Sequence, residues 1–101
     1  MTTSKARQVD STQTFASVWD AIADTPEEAA NLRVRSELMN KITELIEENA
    51  WTQTQAAQHC NVTQPRISDL LRGRISRFSL DALVNIATKL GKHVHIELEA
   101  A

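Results

Sequence analysis

Gln53-Thr54-Gln55-Ala56-Ala57-Gln58-His59-Cys60-Asn61-Val62-Thr63-Gln64-Pro65-Arg66-Ile67-Ser68-Asp69-Leu70-Leu71 reads as two short helices joined by a tight turn. Thr52 is a good N-cap with Gln55 three residues on, and Thr63 is a second cap. The spacing predicts helices over 53–60 and roughly 64–72, with Asn61-Val62 as the turn. Two helices this short and this close in sequence must pack tightly at a steep angle. Such packing needs a small residue inside the first helix, and Ala57 is there. The turn needs a residue that tolerates left-handed backbone. Glycine is usual, asparagine is the next best, and Asn61 stands there. Apolar residues must follow the turn and line the second helix, and Val62, Ile67 and Leu70 do so.

Downstream, Gly73 is the stop of the second helix, Ser79 caps a final one, and Gly91 ends it. Leu80, Leu83, Val84, Ile86, Ala87 and Leu90 line that last helix. Upstream, Thr25-Pro26-Glu27-Glu28 opens a helix running to about Asn49, with Thr25 as cap, Pro26 at the first position and Glu28 completing a capping box. Leu38, Ile42, Leu45 and Ile46 form its apolar stripe. Phe15, Val18, Trp19 and Ile22 recur at helical spacing and predict a further short helix. Residues 1–13 are polar, without an apolar period, and read as a disordered arm. After Gly91 the period changes. Lys92-His93-Val94-His95-Ile96-Glu97-Leu98-Glu99 alternates strictly, the pattern of a half-buried strand. The expected organisation is therefore an arm over 1–13, a helical extension over 14–35, a helical domain over 36–91 and a strand within 92–101.

A chain of 101 residues with 42% apolar content supports one small core. No apolar run spans a bilayer, the first residues lack the apolar core of a signal peptide, and Cys60 alone makes no disulfide framework. A cytoplasmic location follows as the expectation. The net charge is −2, yet it is unevenly spread. Residues 1–50 hold five basic and nine acidic side chains, whereas residues 51–91 hold five basic and two acidic ones. A local basic patch decides phosphate binding more than the total does.

The two-helix pattern, the following Gly73 and the segment Ser79 to Leu90 resemble the XRE family, which includes the phage Cro and repressor proteins. The resemblance covers roughly residues 37–91. Asn61 stands where the family pattern favours glycine, and Pro65 lies early in the second helix, where it removes a side-chain donor. The resemblance implies a mainly α fold, a five-helix helix-turn-helix domain, here with an extra N-terminal helix and a short C-terminal strand. It implies a DNA-binding transcriptional regulator whose second helix lies in the major groove. On that helix Ile67, Leu70 and Leu71 form the apolar side. Pro65, Asp69 and Arg72 point away from it, Arg66 and Ser68 lie on the flanks, and Gln64 leads. Arginine pairs with guanine, glutamine with adenine, and aspartate accepts from cytosine. Gln64, Arg66, Asp69 and Ser68 are thus the expected base readers. Gln53, Thr63, Arg72, Arg74 and Arg77 are the expected phosphate contacts.

A lone strand leaves its amides and carbonyls without a ladder. Its simplest partner is the same strand of a second copy, so Val94, Ile96 and Leu98 are expected to form a homodimer interface and the operator to be palindromic. The whole chain is also similar to small XRE proteins found beside toxins of the HigB and RelE kind. That likeness implies a HigA-like antitoxin repressing its own operon; the alternative is a stand-alone repressor without a toxin. Two histidines, His93 and His95, share a strand face with Glu97, but without a cysteine partner they make a poor metal site. Cys60 reads as a buried small hydrophobe, and Trp19 and Trp51 read as core. With two glycines and no nucleophile–base arrangement, neither enzyme chemistry nor a cofactor is expected.

Overall fold

A computed structural model of the chain describes residues 22–100. Four α-helices are present among them: α1 (Pro26–Glu48), α2 (Gln53–Cys60), α3 (Gln64–Leu71) and α4 (Leu80–Lys89), with a 3-10 turn at Ile75–Arg77 between α3 and α4. The expected arm over 1–13 and the helix over Phe15–Ile22 lie outside the described residues, apart from Ile22. The described residues thus show four α-helices and one 3-10 turn, and the five-helix count is not shown by them. Contacts divide the chain into units of residues 1–34 and 35–101, and the second carries the two-helix motif.

Each helix start in that unit is capped as its sequence demands. The Thr52 hydroxyl accepts from the Gln55 amide at 3.2 Å, and the Gln55 side chain accepts from the Thr52 amide at 2.9 Å. Thr63 accepts from the Arg66 amide at 3.4 Å and Ser79 from Ala82 at 3.1 Å. At the start of α1 the expected box is modified. Thr25 accepts from Glu28, but the Glu28 carboxylate bonds the amide of Asp24, one residue ahead of the cap.

All four helices end alike. Beyond each last turn one residue takes left-handed backbone, and the next amide reaches back five positions to a helix carbonyl, as in a Schellman closure. Trp51 bonds Ile46, Val62 bonds Ala57, Arg74 bonds Asp69, and Lys92 bonds Ala87. The four left-handed residues are Ala50 (φ 54°), Asn61 (φ 58°), Gly73 (φ 71°) and Gly91 (φ 80°). Asn61 does what the turn required of it. Ala50 carries no sequence signal of its role, because alanine does not mark left-handed backbone.

The core gathers Met39, Ile42 and Ile46 of α1, Ala56, Ala57 and Cys60 of α2, Ile67 and Leu70 of α3, Leu83 and Ile86 of α4, and Phe78 from the loop before it. Leu38, Trp51, Val62, Leu71, Ile75 and Leu90 pack partly buried around it. Phe78 immediately precedes the Ser79 cap, and Leu83 is the fourth residue of the helix that comes after. Both are in the core, as a hydrophobic staple places them. Val62 before Thr63 stands in the same relation to Ile67. Trp51 stacks on His59 at 3.9 Å between centroids and 11° between planes, closing the outer side of α2.

Residues 92–100 form no strand. The backbone of residues 93–100 makes no hydrogen bond to any other described residue, so these amides have no ladder among the described residues. The strand expected over 92–99 is therefore not shown in the single chain. Along it Ile96 is 66% exposed and Leu98 96% exposed.

Candidate nucleic-acid interface

Helix α3 divides into three sectors. Ile67 and Leu70 are buried and Leu71 half-buried, facing the core. Gln64, Pro65 and Arg72 are exposed and Ser68 half-exposed, forming a stripe on another side. The third sector holds Arg66 and Asp69, three positions apart and so neighbours on the helix surface. Both are turned onto the loop between α3 and α4.

Arg66 lies over the ring of the buried Phe78, with its guanidinium carbon 4.2 Å from the centroid. Its Nη1 donates to the Arg77 carbonyl at 2.8 Å. Asp69 receives Arg74 Nη1 at 3.4 Å on one carboxylate oxygen and Arg77 Nη1 at 3.3 Å on the other. The Asp69 side chain is left 14% exposed, whereas those of Arg74 and Arg77 are 43% and 55% exposed. Each arginine spends one donor on the carboxylate and keeps others directed outward. From the other side Arg35 of α1 donates to the carbonyls of Phe78 at 3.2 Å and Ile75 at 3.4 Å. The loop that carries Arg74 and Arg77 is thus clamped between α1 and α3, and its two cations stand beside the exposed stripe.

Gln53, in the first turn of α2, is exposed, and Thr63 sits at the N-terminus of α3 with its hydroxyl already engaged as the cap. Thr54 donates to the Gln64 Oε1 at 3.4 Å, joining the leading ends of α2 and α3 and holding the Gln64 carboxamide by its oxygen. Two exposed short helices crossing through a tight turn, with one polar stripe flanked by arginines, form a surface that fits a groove lined with phosphates.

A family model described as a helix-turn-helix domain matches residues 21–99. The chain belongs to the helix-turn-helix domain family. Comparison with curated proteins returns no match. In this helix-turn-helix DNA-binding protein α2 and α3 are the two helices of the motif, and the Asn61 closure is its turn.

The residues expected from sequence therefore fall into two groups. Gln64 and Ser68 stand on the open stripe together with Arg72. Arg66 and Asp69 are occupied within the chain. A helical wheel places Asp69 opposite the core, but a wheel carries no information about the loop whose Arg74 and Arg77 fold back onto that flank. Arg35 and Phe78 are structural partners of the site that sequence reasoning misses. The staple pattern around Ser79 is the signal that marks Phe78; Arg35 has no local signal, since its partners lie more than 35 residues away.

Cys60 is buried, and burial pushes its thiol pKa up, which disfavours the reactive thiolate. His95 Nε2 lies 3.5 Å from Glu97 Oε2, and no group of three His, Cys, Asp or Glu among the described residues could hold a metal ion. No helix among them is long and apolar enough to cross a membrane.

Proposed function

We propose that this chain is a sequence-specific transcriptional repressor of the XRE kind, binding a palindromic operator in the cytoplasm as a homodimer. The observation that carries the reading is the open stripe of α3 beside the clamped arginine loop. Gln64 and Ser68 offer polar groups to base edges, and Pro65 offers an apolar face to a thymine methyl. Arg72, Arg74 and Arg77, with Gln53 and the α3 N-terminus at Thr63, hold phosphates and set the register. Arg66 and Asp69 hold the loop in place and act on DNA through its arginines.

Two copies joined through Val94, Ile96 and Leu98 would present two α3 helices to half-sites about 34 Å apart. Selection from a random duplex library, followed by titration at several salt concentrations, tests the reading. An enriched inverted repeat bound far more tightly than random duplex is expected. Equal affinity for all duplexes would overturn sequence-specific repression.

A second reading, an antitoxin of the HigA kind silencing a RelE- or HigB-like toxin, is favoured by two exposed apolar side chains of the N-terminal extension, Ile22 and Val34. Coexpression with the product of an adjacent small basic reading frame tests it. A stable complex lost on Ile22→Asp and Val34→Asp supports it, and independent purification of the two proteins excludes it.

A further inference from the structure

The tail holds a pattern that alternation alone does not explain. Around Ile96 the apolar positions are symmetric, with Val94 two residues before and Leu98 two after. The polar positions are antisymmetric, with His93 and His95 before Ile96 and Glu97 and Glu99 after it. Val94 is half-buried and the rest of the segment is exposed: the His95 and Glu97 side chains are 72% and 77% open, and Ile96 and Leu98 are among the most exposed large apolar residues described. Its backbone groups lack partners among the described residues.

We propose that the occupant of this edge is a second copy of the same segment, paired antiparallel with Ile96 opposite Ile96 on the two-fold axis. The inference rests on the dimer reading above and specifies its interface. In that register Val94 meets Leu98 of the other copy on one face. On the opposite face His95 meets Glu97, and His93 meets Glu99, twice each by symmetry. Directly opposite side chains are the unit of pairing in an antiparallel ladder, where unlike charges attract and like charges repel. Neighbouring registers fail. Shifting the axis to residue 95 sets His95 against His95, and shifting it to residue 97 sets Glu97 against Glu97. An axis between residues sets apolar against charged side chains along the whole ladder. The charges thus select one register, and the apolar face provides most of the attraction.

Within one chain His95 already faces Glu97 at 3.5 Å. In the pair the partner's carboxylates add to that contact.

Charge exchange on the full chain tests the register. One variant carries His93→Glu and His95→Glu, the other Glu97→Lys and Glu99→Lys. Sedimentation equilibrium should show each alone dimerising at least tenfold more weakly than wild type at pH 6.5. Native mass spectrometry of the mixture should show a one-to-one heterodimer, because every glutamate of the first then opposes a lysine or histidine of the second. Two variants that dimerise like wild type, or a mixture that remains monomeric, would overturn the register. A wild-type chain that is monomeric even on its selected operator would instead remove the dimer reading on which the register rests.

Discussion

Replacing Arg66 by alanine separates reading a base from holding a loop. The side chain makes two interactions within the chain. The stack on Phe78 at 4.2 Å is worth about 0.5–1 kcal/mol for a half-exposed guanidinium. The 2.8 Å bond to the Arg77 carbonyl is charge-assisted but reachable by water, so it contributes about 0.5–1.5 kcal/mol. Arg66→Ala should therefore lower stability by about 1–2.5 kcal/mol. In a domain of this size each kcal/mol shifts Tm by roughly 4–8 °C. Urea unfolding followed by far-UV circular dichroism measures the loss, with an unchanged m value as the sign that only stability moved. DNA titration of the same variant should show the affinities for selected operator and random duplex falling by a similar factor, because Arg74 and Arg77 lose their placement while the open stripe is untouched. Unaltered stability, with a loss confined to the operator and preference relaxed at one base pair, would refute the reasoning and make Arg66 a base reader.

The same geometry sets further outcomes. Gln64→Ala should cost about 1–3 kcal/mol on the selected operator and little on random duplex, in a competition assay between the two. Arg74→Ala and Arg77→Ala should each flatten the plot of log affinity against log salt by about one unit, and an unchanged slope in both would take the loop out of the interface. Ala50→Gly relieves a left-handed alanine at φ 54° and should stabilise the fold by about 0.5–1 kcal/mol. Gly73→Ala should destabilise it by a similar amount through backbone strain alone, since a Cβ there meets nothing within 4 Å. Because burial raises the Cys60 pKa, the folded chain keeps its thiol protonated where the unfolded chain ionises. Stability should thus be unaffected by this group below about pH 8.5 and fall as pH rises beyond it. Cys60→Ala should remove that alkaline decline in urea titrations.

Most of the helical framework was legible because its signals are local. Thr52, Thr63 and Ser79 are caps whose partners lie three residues on, and Asn61, Gly73 and Gly91 are turn residues whose backbone demands arise from their own side chains or lack of one. Boundaries set by such residues need no knowledge of the rest of the fold. Where tertiary structure decided the matter, local reading fell short. Ala50 takes its left-handed conformation because Trp51 must turn back toward the core, not because alanine favours it. Arg66 and Asp69 look like any polar flank of a helix until residues 74–78 close over them. The tail reads as a strand because its alternation is clear, but a ladder is a property of two segments, and the described residues supply only one.

The division of α3 into separate sectors bears on how such a protein changes over generations. The residues facing the core, those holding the arginine loop and those on the open stripe are different residues of a single eight-residue helix. Substitutions at Gln64, Pro65 and Ser68 remove no core contact and no loop contact. On the proposed reading, new operator preferences can therefore arise by stepwise exchange at these positions, with the Thr54–Gln64 hydrogen bond at 3.4 Å as the contact within the chain that changes at Gln64. Drift at Arg66, Asp69 or Ile67 is restrained whatever the operator. A duplicated copy of the gene could acquire a new target without passing through an unfolded intermediate sequence.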